Sequence, residues 1–135
     1  MKEKLTNLLN NSYSPYSKFR VSAICVMKDG VEFSGVNVEN ASYGATICAE
    51  RTAILSSIAA GYKKGDFDKL YVMVDSDKIS SCCFMCRQVI TEFFDKESDI
   101  ILMNRLGDTK SYKVKDLCPV PFDEGDLLWE VDLLD

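Results

Sequence analysis

Between Glu39 and Lys63 only two side chains carry charge, and they are neighbours: Glu50 and Arg51. The rest of the segment from Thr46 to Gly61 is apolar or small on nearly every side. That spacing predicts a helix buried all round rather than one with a single apolar stripe. Burying a carboxylate and a guanidinium there is costly unless they are paired or put to use. A structural ion pair inside a core is the bland account. Against it, Cys48 lies two residues before Glu50, and Cys83 and Cys86 follow later in the chain. Three thiols can hold one zinc ion and leave its fourth tetrahedral position open for water.

A chain of 135 residues suits one compact domain, taken here as residues 1–135. The net charge is −5, with no run of lysine and arginine forming a basic stripe. Phosphate neutralisation supplies most non-specific nucleic-acid affinity, so a nucleic-acid partner is not expected. The first eleven residues have no apolar core of signal-peptide length, and no later stretch reaches membrane-spanning length. The expected compartment is the cytoplasm. Six cysteines could form three disulfides in a secreted chain. In a reducing compartment their clustering reads as metal ligation, with the remainder as buried apolar residues. Histidine is absent, which rules out Ser-His and Cys-His nucleophilic mechanisms and leaves thiolates or carboxylates to hold a zinc ion.

Leu5, Leu8 and Leu9 lie at helical spacing, and Ser14-Pro15 ends that helix. Residues 19–27 alternate as a strand with Val21, Ala23, Cys25 and Met27 on one face. Lys28-Asp29-Gly30 is a hairpin turn, and residues 31–38 form the returning strand. After the helix over 46–61 come a buried strand over 70–74, a helix over 83–94, a buried strand over 100–103 and a weak strand over 111–114. A last helix is expected around Gly125 to Leu134. The order α-β-β-α-β-α-β-β predicts an α/β layered sheet with helices on both faces.

Cys83 and Cys86 are three apart at a helix start, so they share a face and can bind one ion. Cys48 lies at the start of the other buried helix. Both helix N-termini then point at the metal, favouring thiolate over thiol. A lone Cys-x-x-Cys could be a redox pair or half of a structural zinc site. The closed structural site needs a fourth ligand, and Cys82 points elsewhere, while Cys25 and Cys118 are distant in sequence. Three thiolates with Zn²⁺ carry about −1 net charge, which weakens the metal as a Lewis acid. Arg51 donating to the sulfurs would withdraw some of that charge. Glu50 is placed to move protons without binding the metal. A Cys-x-Glu segment followed by Cys-x-x-Cys is the arrangement of zinc deaminases.

The chain resembles cytidine deaminases of the small, homotetrameric type. The likeness is carried by Pro15-Tyr16-Ser17-Lys18-Phe19, by residues 35–43 (Gly-Val-Asn-Val-Glu-Asn-Ala-Ser-Tyr), by Cys48-Ala49-Glu50-Arg51-Thr52-Ala53, by Cys86-Arg87-Gln88-Val89, and by Pro119 to Phe122. The resemblance implies a three-layer α-β-α sandwich with a mixed five-stranded sheet and one zinc per chain. It implies that Asn37 and Glu39 bind the ribose hydroxyls; residues two apart on a strand do face the same way. It further implies that Phe19 lies near the pyrimidine, that the Ala49 backbone reads the base, and that Phe122 reaches a neighbouring subunit's site. Without it, Asn37 and Glu39 read as a solvated strand end and either phenylalanine as core. The family usually has Pro-Cys-Gly-x-Cys where this chain has Cys82 and Phe84 in place of the prolyl and glycyl positions. Ser22 likewise replaces a usual glycine.

The expected activity is deamination of cytidine and deoxycytidine with release of ammonia, a reaction of pyrimidine salvage. The rivals are a deaminase of a nucleoside-like antibiotic such as blasticidin S, and a zinc-stabilised binding protein weakened in catalysis by Phe84. Arg51-Thr52-Ala53 and Asn37-x-Glu39 favour the free nucleoside.

Overall fold

The computed structural model describes residues 1–127. The elements run α1 (Lys2–Leu9), β1 (Val21–Met27), β2 (Glu32–Val36), α2 (Ala49–Ala59), β3 (Phe67–Val74), α3 (Phe84–Phe93), β4 (Asp99–Met103), β5 (Thr109–Lys113) and α4 (Val114–Leu117), with single 3₁₀ turns at Tyr43–Ala45 and Glu124–Asp126. The five strands form one mixed sheet in the order β2-β1-β3-β4-β5. Only β3 and β4 are parallel, and α3 is the crossover that a parallel pair requires.

Alternation along the inner strands divides the core into two layers. Ala23, Cys25, Met27, Leu70, Val72, Ile100 and Leu102 face α2, α3 and α4 on one side of the sheet. Ile24, Val26, Met73 and Met103 face α1, whose Leu5 and Leu9 are buried against them. An eight-residue helix is marginal in water, so α1 persists because burying each leucine stabilises it by roughly 1.5–3 kcal/mol. Ser22 adds a tether, its hydroxyl donating to the Leu5 carbonyl at 2.8 Å in a fully buried position. The usual glycine could not make that bond.

The β1–β2 hairpin turns through three residues, Lys28-Asp29-Gly30, with Gly30 at φ 89°, the left-handed position such a loop requires. Gly35 is needed for a different reason. A Cβ there would lie 2.4 Å from the Ala53 nitrogen and 2.5 Å from the Ala49 carbonyl oxygen, so β2 and the first turns of α2 touch backbone to backbone. That contact sets where α2 begins, and with it the place of Cys48 and Glu50.

Two expectations need correction. The helix over 46–61 is not buried all round: Ala49, Glu50, Ala53, Ile54 and Ser57 are buried, but Leu55 is 50% exposed and Ser56 and Ala59 are exposed too. Only one face of α2 packs on the sheet, and nothing among the described residues covers the other. The short helix α4 was not foreseen; Val114 and Leu117 dock it onto the core where the fifth strand ends. The helix expected around Gly125 to Leu134 falls mostly outside the described residues; within them, Glu124–Asp126 form one 3₁₀ turn. Among the described residues no helix is long and apolar enough to cross a membrane.

Candidate active site

Cys48 and Cys83 are the N-caps of α2 and α3, so both helices begin at the same point of the molecule. The Sγ atoms of Cys48, Cys83 and Cys86 lie within 4.8 Å of one another. Cys48 and Cys83 sulfurs are 3.8 Å apart, far beyond disulfide length. Tetrahedral zinc with Zn–S bonds of about 2.3 Å separates its sulfurs by roughly 3.8 Å, so the donor set fits that ion. The Cys83 sulfur also accepts from the Cys86 N–H at 3.5 Å, which folds the Cys-x-x-Cys segment back on itself at the helix start.

Electrostatics within the cluster divide the thiols. Hydrogen bonding from Cys86, then from Arg51 and Cys83, pulls Cys48 down to about 5, against the opposing effect of burial. Cys86 is pushed up, chiefly because it donates to the Cys48 sulfur and then because it is buried. Arg51 sends an Nη2 hydrogen to Cys48 Sγ at 3.6 Å. Burial alone would lower the arginine's pKa, but hydrogen bonds to the Cys48 and Cys86 sulfurs outweigh it and hold the guanidinium charged. The half-buried guanidinium in α2 is thus bonded to sulfur rather than to its neighbour Glu50.

Glu50 is 5% exposed. Burial raises its pKa first, and the negative charge on Cys48 raises it further. Both effects favour the protonated form, and a carboxyl shifted in that direction is suited to taking up and handing on a proton. Cys82 was expected to point elsewhere, and its sulfur indeed lies outside the three-thiol group. It is nonetheless 3% exposed, and burial first, then the nearby Glu50 carboxyl, push its thiol up. No helical spacing could reveal this, because Cys82 precedes α3 in extended chain. Cys25 is fully buried, and burial pushes it up to about 12, as expected of an apolar filler.

Phe84, at the first position of α3, is 77% exposed, so its bulk projects into solvent rather than into the turn. Its ring carries the Arg87 guanidinium 4.5 Å above its centroid. That guanidinium donates to the Cys82 carbonyl at 2.9 Å, the Leu117 carbonyl at 2.8 Å and Ser81 Oγ at 2.8 Å. Arg87 therefore fixes the segment that delivers Cys83. Sequence reasoning gave Arg87 no role, although five donors in a rigid fork are suited to joining three acceptors.

The expected nucleoside-binding residues Asn37 and Glu39 flank Val38, which ties their segment to the one leading into Cys48. Backbone bridges join Tyr13 to Val38 and Val38 to Ile47, the residue before Cys48. Asn37 is 8% exposed; its Oδ1 accepts from Val21 N–H at 2.9 Å and from the Ser12 hydroxyl at 2.5 Å, and its Nδ2 donates to the Phe19 carbonyl at 2.7 Å. Glu39 Oε1 accepts the N–H groups of Tyr16 at 2.9 Å and Ser17 at 3.1 Å, while Oε2 accepts from the Ser17 hydroxyl. Those bonds, the Ser17 hydroxyl first, hold Glu39 below the usual carboxylate range. Phe19 is half-buried and Ala49 fully buried at the first position of α2. Phe122 is 57% exposed, and its carbonyl accepts from Gln88 Nε2 at 2.7 Å.

The family model described as the cytidine and deoxycytidylate deaminase zinc-binding region matches residues 1–102, which include all three clustered cysteines and Glu50. The chain belongs to this family. A cytidine deaminase of Sporosarcina psychrophila is 38% identical over 121 residues, 90% of this chain and 88% of that one. The crystal structure of a cytidine deaminase from Burkholderia pseudomallei superposes with a TM-score of 0.85 at 41% identity, covering 89% of this chain and 94% of that one. A blasticidin-S deaminase of Bacillus cereus is 30% identical over 128 residues, 89% of this chain and 85% of that one. The mixed five-stranded sheet with helices on both faces is the fold of these cytidine deaminase structures. As a family member, the chain takes its cofactor, zinc, at a cysteine set compatible with that ion.

Proposed function

We propose that this chain is a hydrolase that converts cytidine and deoxycytidine to uridine and deoxyuridine with release of ammonia. The observation that carries the reading is the convergence of two helix N-termini on three thiols beside a buried carboxyl. Cys48, Cys83 and Cys86 hold the zinc, one ion per chain, within one deaminase domain spanning 1–135. Bound there, zinc supplies Lewis acidity that makes water a competent nucleophile near neutral pH.

Glu50 does the proton work. It accepts a proton from the attacking water and delivers it to the ring nitrogen. It then takes the remaining hydroxyl proton and gives it to the departing amine as the C–N bond breaks and the carbonyl forms. The Glu50 pKa raised by burial suits both halves of that cycle. Arg51, bonded to the Cys48 sulfur, offsets part of the negative charge that three thiolates would place around the metal.

The Ala49 backbone reads the base and Phe19 packs near it. Asn37 has one amide hydrogen beyond the one given to Phe19, and Glu39 has one acceptor position beyond its three bonds, so each can still take a ribose hydroxyl. Exposed Leu55, Val120, Phe122 and Leu127 offer more apolar surface than a lone chain needs. This supports a homotetramer with Phe122 entering a neighbour's site. Net charge of −5 and unpaired thiols suit a cytoplasmic enzyme acting on a small molecule rather than on nucleic acid or at a membrane.

The test is ammonia release from cytidine and from blasticidin S by the zinc-loaded protein. Turnover of cytidine is expected. Turnover of blasticidin S alone, or of neither substrate with zinc bound, would overturn the reading.

A further inference from the structure

Lys18 has φ 60° and is the one non-glycine residue with a positive φ among the described residues. A lysine gains nothing locally from that conformation, since it lacks the short polar side chain that eases it for asparagine or aspartate. The surrounding bonds show what imposes it. Residues 14–18 make one helical turn, closed by Lys18 N–H donating to the Ser14 carbonyl at 3.0 Å. Pro15 suits the start of that turn, where its missing N–H is not needed. Glu39 caps the turn by accepting the next two N–H groups, those of Tyr16 and Ser17. Lys18 then occupies the position after the turn where a left-handed residue, ordinarily glycine, reverses the chain.

The reversal aims the next residue. Phe19 N–H donates to Ser17 Oγ at 3.0 Å, and the Phe19 carbonyl accepts from Asn37 Nδ2 at 2.7 Å. Arg20 is pinned by its side chain, which donates to Asp75 Oδ2 at 2.9 Å from Nε and 2.7 Å from Nη2. Tyr16 packs edge-on against Tyr43, ring centroids 6.1 Å apart, on the far side of the turn. Phe19 is thus clamped at both of its peptide groups, and the clamp closes only if Lys18 is left-handed.

We propose that Lys18 is a positioning residue for nucleoside binding that acts through its backbone: its left-handed conformation sets Phe19 at the rim of the site, and its ammonium group is dispensable. The proposal rests on the reading that Phe19 and the ribose-side residues meet the substrate. It separates backbone from side chain, because Lys18 also lies near enough to Glu39 for its charge to act there.

The test compares Lys18→Gly, Lys18→Asn and Lys18→Val in the zinc-loaded protein. Glycine and asparagine accept the left-handed region and should keep KM for cytidine within about threefold of the parent. Valine resists it, and should raise KM on the order of tenfold with kcat and zinc content little changed. Amide hydrogen exchange over residues 14–19, which needs no substrate, should quicken in Lys18→Val and stay near the parent in Lys18→Gly. A parental KM and parental exchange in Lys18→Val would overturn the proposal, as would a loss in Lys18→Gly equal to that in Lys18→Val. A parent that binds zinc but leaves cytidine untouched would sink the functional reading instead, and the exchange data would still judge the turn.

Discussion

The two ends of the proposed site are built from different materials. At the metal end, Cys48 and Cys83 sit on helix starts, and Ala49, Glu50, Cys82 and Cys86 are buried in or against the core. At the rim, Tyr13, Tyr16 and Ser17 are exposed and held by hydrogen bonds to Asn37 and Glu39, and Lys18, exposed as well, donates its N–H to the Ser14 carbonyl. Burial of apolar surface locks the first end cooperatively with the whole fold. Hydrogen bonds at the second compete with water, and each contributes only about 0.5–1.5 kcal/mol net. Changes at the metal end should therefore act nearly all-or-none, and changes at the rim should be graded.

The largest effect is expected from Cys83→Ala or Cys86→Ala. Zinc should be lost, activity should fall below detection, and the melting temperature should drop, since ligands from separate elements link metal binding to folding. Cys82→Ala is the contrast within the same end and should keep one zinc per chain by elemental analysis. Zinc loss in Cys82→Ala would redraw the ligand set.

Glu50→Gln should retain zinc and fold while kcat falls by roughly 10²–10⁴, because glutamine cannot carry the proton. Near-parental turnover with metal bound would remove Glu50 from the reaction.

Gly35→Ala probes how the metal end is held from below. A Cβ would meet backbone atoms of α2 at 2.4 and 2.5 Å, which no rotamer change relieves. Denaturant unfolding should show a loss of about 3 kcal/mol, at the upper end for overpacking. A loss confined to a few tenths would mean α2 can slide without cost.

Asn37→Ala and Glu39→Gln bear on the rim and should have the smallest effects. KM for cytidine should rise roughly tenfold in each with zinc content kept, and Asn37→Ala should also lower the melting temperature, because the buried amide leaves Val21 N–H and the Phe19 carbonyl without their partner. If either variant lost zinc, the two ends would not be separable and the comparison would fail.

Much of the chemistry was legible before any fold. Cys-x-x-Cys at a helix start can only present two sulfurs to one side, and a charged pair in an otherwise apolar segment demands a use. The succession of strands along the chain and the first hairpin followed from apolar patterning and from Asp29-Gly30. The outer face of α2 was misread, since composition alone cannot tell an apolar face that meets the sheet from one left uncovered.

Residue types and short spacings by themselves picked out the three candidate thiols, the carboxyl beside them, the absence of any histidine chemistry and the layered sheet. These are local properties, set by bond geometry and helical period. Tertiary structure alone decided that Cys48 meets Cys83 across 35 residues, that Cys82 lies against Glu50, and that Asn37 and Glu39 are partly engaged in holding the 12–19 segment. It also decided that Lys18 turns left-handed and that Gly35 touches a helix backbone. Each depends on where distant segments pack once the core closes, and chain spacing carries no record of those distances.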